Sequence, residues 1–158
     1  MIGTVSTDEK ADLARRHGAH HVILYSQENF VERVRELTGG AGVAVVYDGV
    51  GRSTFLGGLD CLRPRGMMVS YGQASGAIPP FDPGLLGARG SLYLTRPSLF
   101  TYTASRADLE ASAAELFEAV RSGALAIEVN QTFALKETAE AHRALESRAT
   151  TGATVLLP

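Results

Sequence analysis

The sequence predicts an α/β protein built on a doubly wound parallel sheet, and three observations carry that reading. Short β-prone runs alternate with amphipathic helical stretches as far as Pro97, the rhythm of βαβ units. One run, Val43-Ala44-Val45-Val46-Tyr47-Asp48, is almost continuously apolar, as expected of a strand covered on both faces. Glycine or small polar residues come after several of these runs, at the carboxyl ends where such sheets bind ligands.

Each element has its own signal. Met1-Ile2-Gly3-Thr4-Val5 is β-prone, and Ser6 with Glu9 has capping-box spacing for a helix that Gly18 closes. His21–Tyr25 is the second strand. A helix from about Gln27 to Thr38 sets Phe30, Val34 and Leu37 on one face before Gly39-Gly40 ends it. After the apolar run at 43–48, Gly49-Val50-Gly51 turns the chain into a helix from about Ser53 to Leu62. Gly66–Gly72 is the fourth strand, a Gly/Pro/Ala-rich loop runs from Gln73 to about Pro83, and Ser91–Thr95 is the fifth. The period then changes: a long helix from about Ser105 to Ser122, a strand at 132–135, a helix from Glu137 to Ser147 and a last strand at 154–157. The predicted division is 1–96 and 97–158.

Composition excludes several classes. The 158 residues carry a formal charge of −2, too little field to gather nucleic acid or an anionic membrane. No apolar stretch approaches the roughly 18 residues of a membrane helix, and the N-terminus has no basic-then-apolar signal, so a cytoplasmic protein is expected. A single cysteine, Cys61, cannot form an internal disulfide or a four-cysteine zinc lobe, and its apolar neighbours predict a buried, inert thiol. His17, His20, His21 and His142 have no metal or triad spacing; no metal site is expected.

A nicotinamide-dinucleotide sheet normally holds Asp or Glu at the tip of its second strand, for the adenosine ribose. If 1–5 is that strand, its tip is Ser6-Thr7, without an acid. Lys10, one helical turn on, is within reach of a ribose 2′-phosphate, and Tyr25 at the next tip can add a hydroxyl. Ser6 offers an amide and hydroxyl at a helix N-terminus, where an anion is favoured; Asp8 and Glu9 bring the opposite sign. No G-x-G-x-x-G occurs. Gly49-Val50-Gly51 comes nearest, but Asp48 directly before it would repel a pyrophosphate.

Four segments then point to a family: Val45-Val46-Tyr47-Asp48-Gly49-Val50-Gly51, Leu59-Asp60-Cys61-Leu62-Arg63-Pro64-Arg65-Gly66, Ser91-Leu92-Tyr93-Leu94-Thr95-Arg96-Pro97-Ser98-Leu99 and Leu145-Glu146-Ser147-Arg148-Ala149-Thr150-Thr151-Gly152. There, and from end to end, the chain resembles zinc-free quinone oxidoreductases, zeta-crystallin relatives in the medium-chain dehydrogenase/reductase superfamily. The resemblance implies a Rossmann domain with strand order 3-2-1-4-5-6, represented from its second strand onward. The first strand, its A-x-x-G-G-V-G turn and the GroES-like substrate domain are absent, and the C-terminal α+β segment belongs with that absent domain. It also implies NADPH as cofactor, with Ser6, Lys10 and Tyr25 at the 2′-phosphate, and Gly49, Val50, Tyr71, Gly72, Thr95, Arg96 and Arg148 along the rest. The reaction implied is hydride transfer to a quinone or similar electrophilic olefin; the substrate-side residues lie mainly in the absent domain, so no catalytic residue is named.

The missing first strand belongs between 1–5 and 43–48. Three outcomes are open: the flanking strands close up, another chain supplies a strand, or the region is poorly ordered. The apolar stripe after Pro97 should be exposed or covered by a partner, and Ser91–Thr95, as the outer edge, predicts a homodimer. A fragment of an oxidoreductase, a non-catalytic NADPH-binding or oligomerisation module and an enoyl-reductase relative are the competing functions.

Overall fold

A computed structural model describes residues 1–147 and 149–158. It divides into two compact units, Met1–Ala104 and Ser105–Pro158.

In the first unit, β1 (Ile2–Val5) leads through α1 (Asp8–Arg16) to β2 (His21–Leu24). Thr7, not Ser6, is the N-cap of α1: its side chain accepts from the Lys10 amide, leaving Ser6 one residue outside the helix. The predicted Ser6–Glu9 capping box is not the cap observed: Thr7, an equally competent cap, takes the position, and Lys10 then stands three residues on where the box needs Glu or Gln. Asp8 and Glu9 in the first turn and Arg15 and Arg16 in the last complement the helix dipole, and buried Ala11 is the contact residue beneath. Next come α2 (Phe30–Leu37), capped by Asn29, and β3 (Val43–Asp48). After them lie α3 (Phe55–Asp60), β4 (Leu62–Ser70), α4 (Gly84–Ala88), β5 (Tyr93–Thr95) and α5 (Leu99–Tyr102).

Two boundaries differ from expectation for backbone reasons. β4 begins at Leu62 rather than Gly66, because Leu62 already pairs with Val43 before the register shifts and resumes at Val45–Met67. Pro64 and Arg65, the latter at φ 59°, make that irregularity. β5 starts at Tyr93 because Ser91 sits at φ 58°, outside the strand region. The short helices α4 and α5 fall in stretches without periodic sequence signal.

All pairing in this unit is parallel, in two sheets: β1-β2, and β3-β4-β5. β1 and β3 do not pair, so the flanking strands have not closed up. One apolar cluster nevertheless reaches both: Ile23, Val34 and Cys61 are packed by Ile2 of β1 and by Val43 and Val46 of β3. A second joins Phe55, Leu59, Leu62, Met68 and Leu92. Burial drives the pKa of the Cys61 thiol up to about 11, partly offset by the Arg35 charge, which makes it a poor nucleophile at neutral pH.

β3 is not covered on both faces. Val46 and Met68 face α3, whereas Val45, Tyr47, Met67 and Tyr93 on the other face are exposed.

In the second unit, α6 (Arg106–Arg121) is capped by Ser105 and buries none of its residues. Of the predicted stripe of Leu109, Ala113, Leu116 and Val120, Ala113 is half-buried and the other three are exposed. β6 (Val129–Ala134) and β7 (Ala153–Leu157) pair in parallel, joined through a 3-10 turn at Leu135–Glu137 and α7 (Thr138–Glu146). Among the described residues no helix is long and apolar enough to cross a membrane.

Candidate cofactor site

The strand tips of the first unit form two differently built groups. At the first, the β1–β2 register pairs Val5 with Leu24, which sets Ser6 beside Tyr25. The Tyr25 amide donates to the Val5 carbonyl at 3.1 Å, and the Ser26 hydroxyl donates to the Ser6 carbonyl at 2.9 Å. Lys10, half-buried, lies in the first turn of α1. The sheet register and the helix start thus bring Ser6, Tyr25 and Lys10 to one end of the β1–β2 pair. No acid stands at Ser6 or Thr7; the nearest are Asp8 and Glu9. Glu9 stays ionised below its ordinary range because a backbone amide, then the Thr7 hydroxyl, hydrogen-bond its carboxylate.

The second group is the β3–β4 tip, and its backbone is almost fully committed. The buried Asp48 turns inward: its Oδ1 accepts from the amides of Val50 (2.8 Å) and Gly51 (3.1 Å) and from the Thr54 hydroxyl (2.8 Å). Two donors that a pyrophosphate would need in this turn, the Val50 and Gly51 amides, are therefore occupied, a stronger obstacle than simple charge repulsion. The Gly49 carbonyl accepts from Ala74, and that of Val50 accepts from the amide and hydroxyl of Ser75. A Cβ on Gly72 would stand 2.3 Å from the Gly49 oxygen, and one on Gly49 would stand 2.9 Å from the Tyr71 hydroxyl. At Gly72, against backbone, only glycine permits this closeness. Tyr71 lies against the turn, its ring mostly exposed.

Thr95 ends β5 opposite Val69. Arg96 donates to the Ser70 carbonyl at 2.7 Å, clamping the ends of β4 and β5 together. Gly72 and Arg96 line an open cleft of about 510 Å³, with Ser70, Phe55, Ile78 and Phe81 among its walls; that volume lies within the range of small-molecule sites. Ser6, Lys10, Tyr25, Gly49, Val50, Tyr71 and Thr95 do not line it. Arg148 lies outside the described residues. Among those described, no group of three His, Cys, Asp or Glu is placed to hold a metal.

Sequence reasoning misses the part Asp48 plays in the turn, and the Ser75 hydroxyl that bridges the Val50 carbonyl and the Ser53 amide. The D-x-x-x-x-x-T spacing of Asp48 and Thr54 is the available signal for an inward-facing cap.

Comparison with known proteins adds the family. The zinc-binding dehydrogenase family model matches residues 17–156. The whole chain is 51% identical to 48% of a 2-haloacrylate reductase from Burkholderia sp and 52% identical to 49% of a quinone oxidoreductase from Pseudomonas aeruginosa. The solved Escherichia coli quinone oxidoreductase complexed with NADPH is similar over 99% of this chain and 49% of its own, at 48% identity and a TM-score of 0.94. The chain spans about half the length of these relatives. It belongs to the zinc-binding dehydrogenase family, as the C-terminal part of a medium-chain dehydrogenase/reductase protein of quinone-oxidoreductase type.

Proposed function

We propose that this chain supplies the cofactor-binding part of an NADPH-dependent reductase of quinones or similar electrophilic olefins. The acid-free tip at Ser6-Thr7 beside Tyr25 carries the reading, because a second-strand acid is what selects the unphosphorylated cofactor. Ser6, Lys10 and Tyr25 would hold the 2′-phosphate. Gly49, Val50, Tyr71 and Gly72 fit the adenosine side, at the end of β3 and β4. Thr95 and Arg96 fit the nicotinamide side, with Arg148 reaching in from the C-terminal segment. Bound NADPH would supply the hydride; the residues of this chain bind, orient and exclude water. The pyrophosphate donors are not the Val50 and Gly51 amides, since Asp48 holds them.

The kinship with a 2-haloacrylate reductase supports an olefin acceptor beside the quinone. We also read the protein as zinc-free, cytoplasmic and a homodimer through β5, the outer edge of its sheet; the single buried thiol suits a reducing compartment. A non-catalytic NADPH-binding module is the second reading, favoured by the occupied amides of the β3 turn. Titration calorimetry with NADPH and NADH tests the assignment. NADPH should bind at least about tenfold tighter, the discrimination expected of one charge-assisted contact; preference for NADH would remove the 2′-phosphate site.

A further inference from the structure

At the end of β4 opposite its tip, four arginines gather around one aspartate. Arg35 of α2 donates to the Asp60 carbonyl and, at 2.8 Å, to that of Gly40. Arg89, just after α4, donates to the Asp60 carboxylate at 2.7 Å through Nε alone. Arg63 and Arg65 lie in the irregular start of β4. The Arg63 backbone presses on Gly42, where a Cβ would stand 2.8 Å from the Arg63 nitrogen. The Arg65 amide donates to the Gly90 carbonyl at 2.8 Å, which sets it beside Arg89. Both Arg63 and Arg65 are exposed, and neither guanidinium is bonded to a described residue. Glu36, next to Arg35 in sequence, is taken by Arg33 at 2.7 Å. Positive charge at this rim is therefore in excess.

Backbone strain collects at the same place. Among the described residues, Arg65 and Ser91 alone combine a side chain with a positive φ, at 59° and 58°. They are neighbours across the rim, since the Gly90 carbonyl that precedes Ser91 accepts from the Arg65 amide. Left-handed backbone suits glycine, and a long side chain there is held at a cost. Glycine would make the same irregularity more cheaply, so the backbone path does not account for an arginine at 65. Outliers of this kind gather where the side chain serves a ligand. The Ser91 hydroxyl is likewise exposed and bonded to no described residue.

We propose that Arg63, Arg65, Arg89 and Ser91 form a binding site for a compact multivalent anion of the oligophosphate class. A guanidinium fork pairs with two oxygens of one phosphate group. Two whole forks, with the Nη groups of Arg89 and the Ser91 hydroxyl, suit a ligand whose anionic groups follow one another closely. Asp60 holds Arg35 and Arg89 in place while leaving the other two arginines unpaired. The formal charge of the whole chain, −2, gives no long-range pull on an extended polyanion; this rim acts at contact distance. β4 runs from the rim to Ser70, so the site is separate from the strand tips, and a failed NADPH titration would leave it standing.

The test is a titration of the 158-residue chain with inorganic triphosphate, followed by calorimetry and by amide shifts, at about 0.1 M salt. One-to-one binding that saturates below about 1 mM is expected, with shifts at Arg63, Arg65 and Ser91 and none at Ser6 or Gly72. No saturation, or shifts confined to the strand tips, would overturn the proposal. Arg65→Gly removes one fork and releases the strained backbone. It should weaken triphosphate by at least about tenfold, one charge-assisted contact, while the thermal melt holds or rises. Undiminished affinity in that variant, or a lower melt, would contradict the site. An oligoglutamate peptide that bound as tightly as triphosphate would give the rim to an acidic protein surface and overturn the oligophosphate assignment.

Discussion

The two strand tips of the first unit are built to opposite plans. At the β3–β4 tip, a buried carboxylate, two close-packed glycines and the Ser75 hydroxyl hold the backbone. At the β1–β2 tip, the Tyr25 amide and the exposed Ser26 hydroxyl bond across to the carbonyls of Val5 and Ser6. A tip whose backbone is held internally can serve as a floor for a ligand; a tip with half-open side chains can read a ligand's charge. Preorganisation on one side and readable chemistry on the other are complementary requirements of a cofactor site.

Substitutions should separate the two plans, the locked tip responding most. Phe55 opens α3 directly behind the turn, buried at 2% exposure, with its ring 5.1 Å from that of Phe81. Phe55→Ala should cost about 3–5 kcal/mol, read as a lower urea midpoint. Asp48→Ala strands the amides of Val50 and Gly51 and should cost about 2–3 kcal/mol. Because one Asp48 oxygen is buried without a partner, Asp48→Asn should recover part of that loss. Ser26→Ala removes only the exposed bond to the Ser6 carbonyl, and its melt should shift by no more than about 0.5 kcal/mol. A large Ser26 effect would mean that both tips are locked.

Much of this is legible in the sequence, for identifiable reasons. The βαβ rhythm to β5, the buried thiol and the apolar stripe of α6 come from periodicity and glycine placement. The open face of β3 is not legible, because an almost continuous apolar run reads the same whether its second cover is present or lies in another segment. Thr7 displaces Ser6 as cap because adjacent hydroxyls offer the same chemistry and only φ/ψ decides between them. The sign of Asp48 is visible in the sequence, but its direction governs what it does: it faces inward and consumes the donors of its own turn. At the β1 tip, by contrast, the absence of an acid is readable directly, and the register then places Tyr25 beside it.

Recognition of a phosphate on the adenosine ribose by the β1–β2 tip is tested most directly by amide shifts of the isolated chain, titrated with 2′,5′-ADP and, separately, with 5′-AMP. The nucleotide carrying the 2′-phosphate should perturb Ser6, Lys10 and Tyr25 at concentrations where 5′-AMP leaves them unmoved. Equal responses to both nucleotides at those three residues, or shifts confined to Gly72 and Arg96, would contradict that assignment.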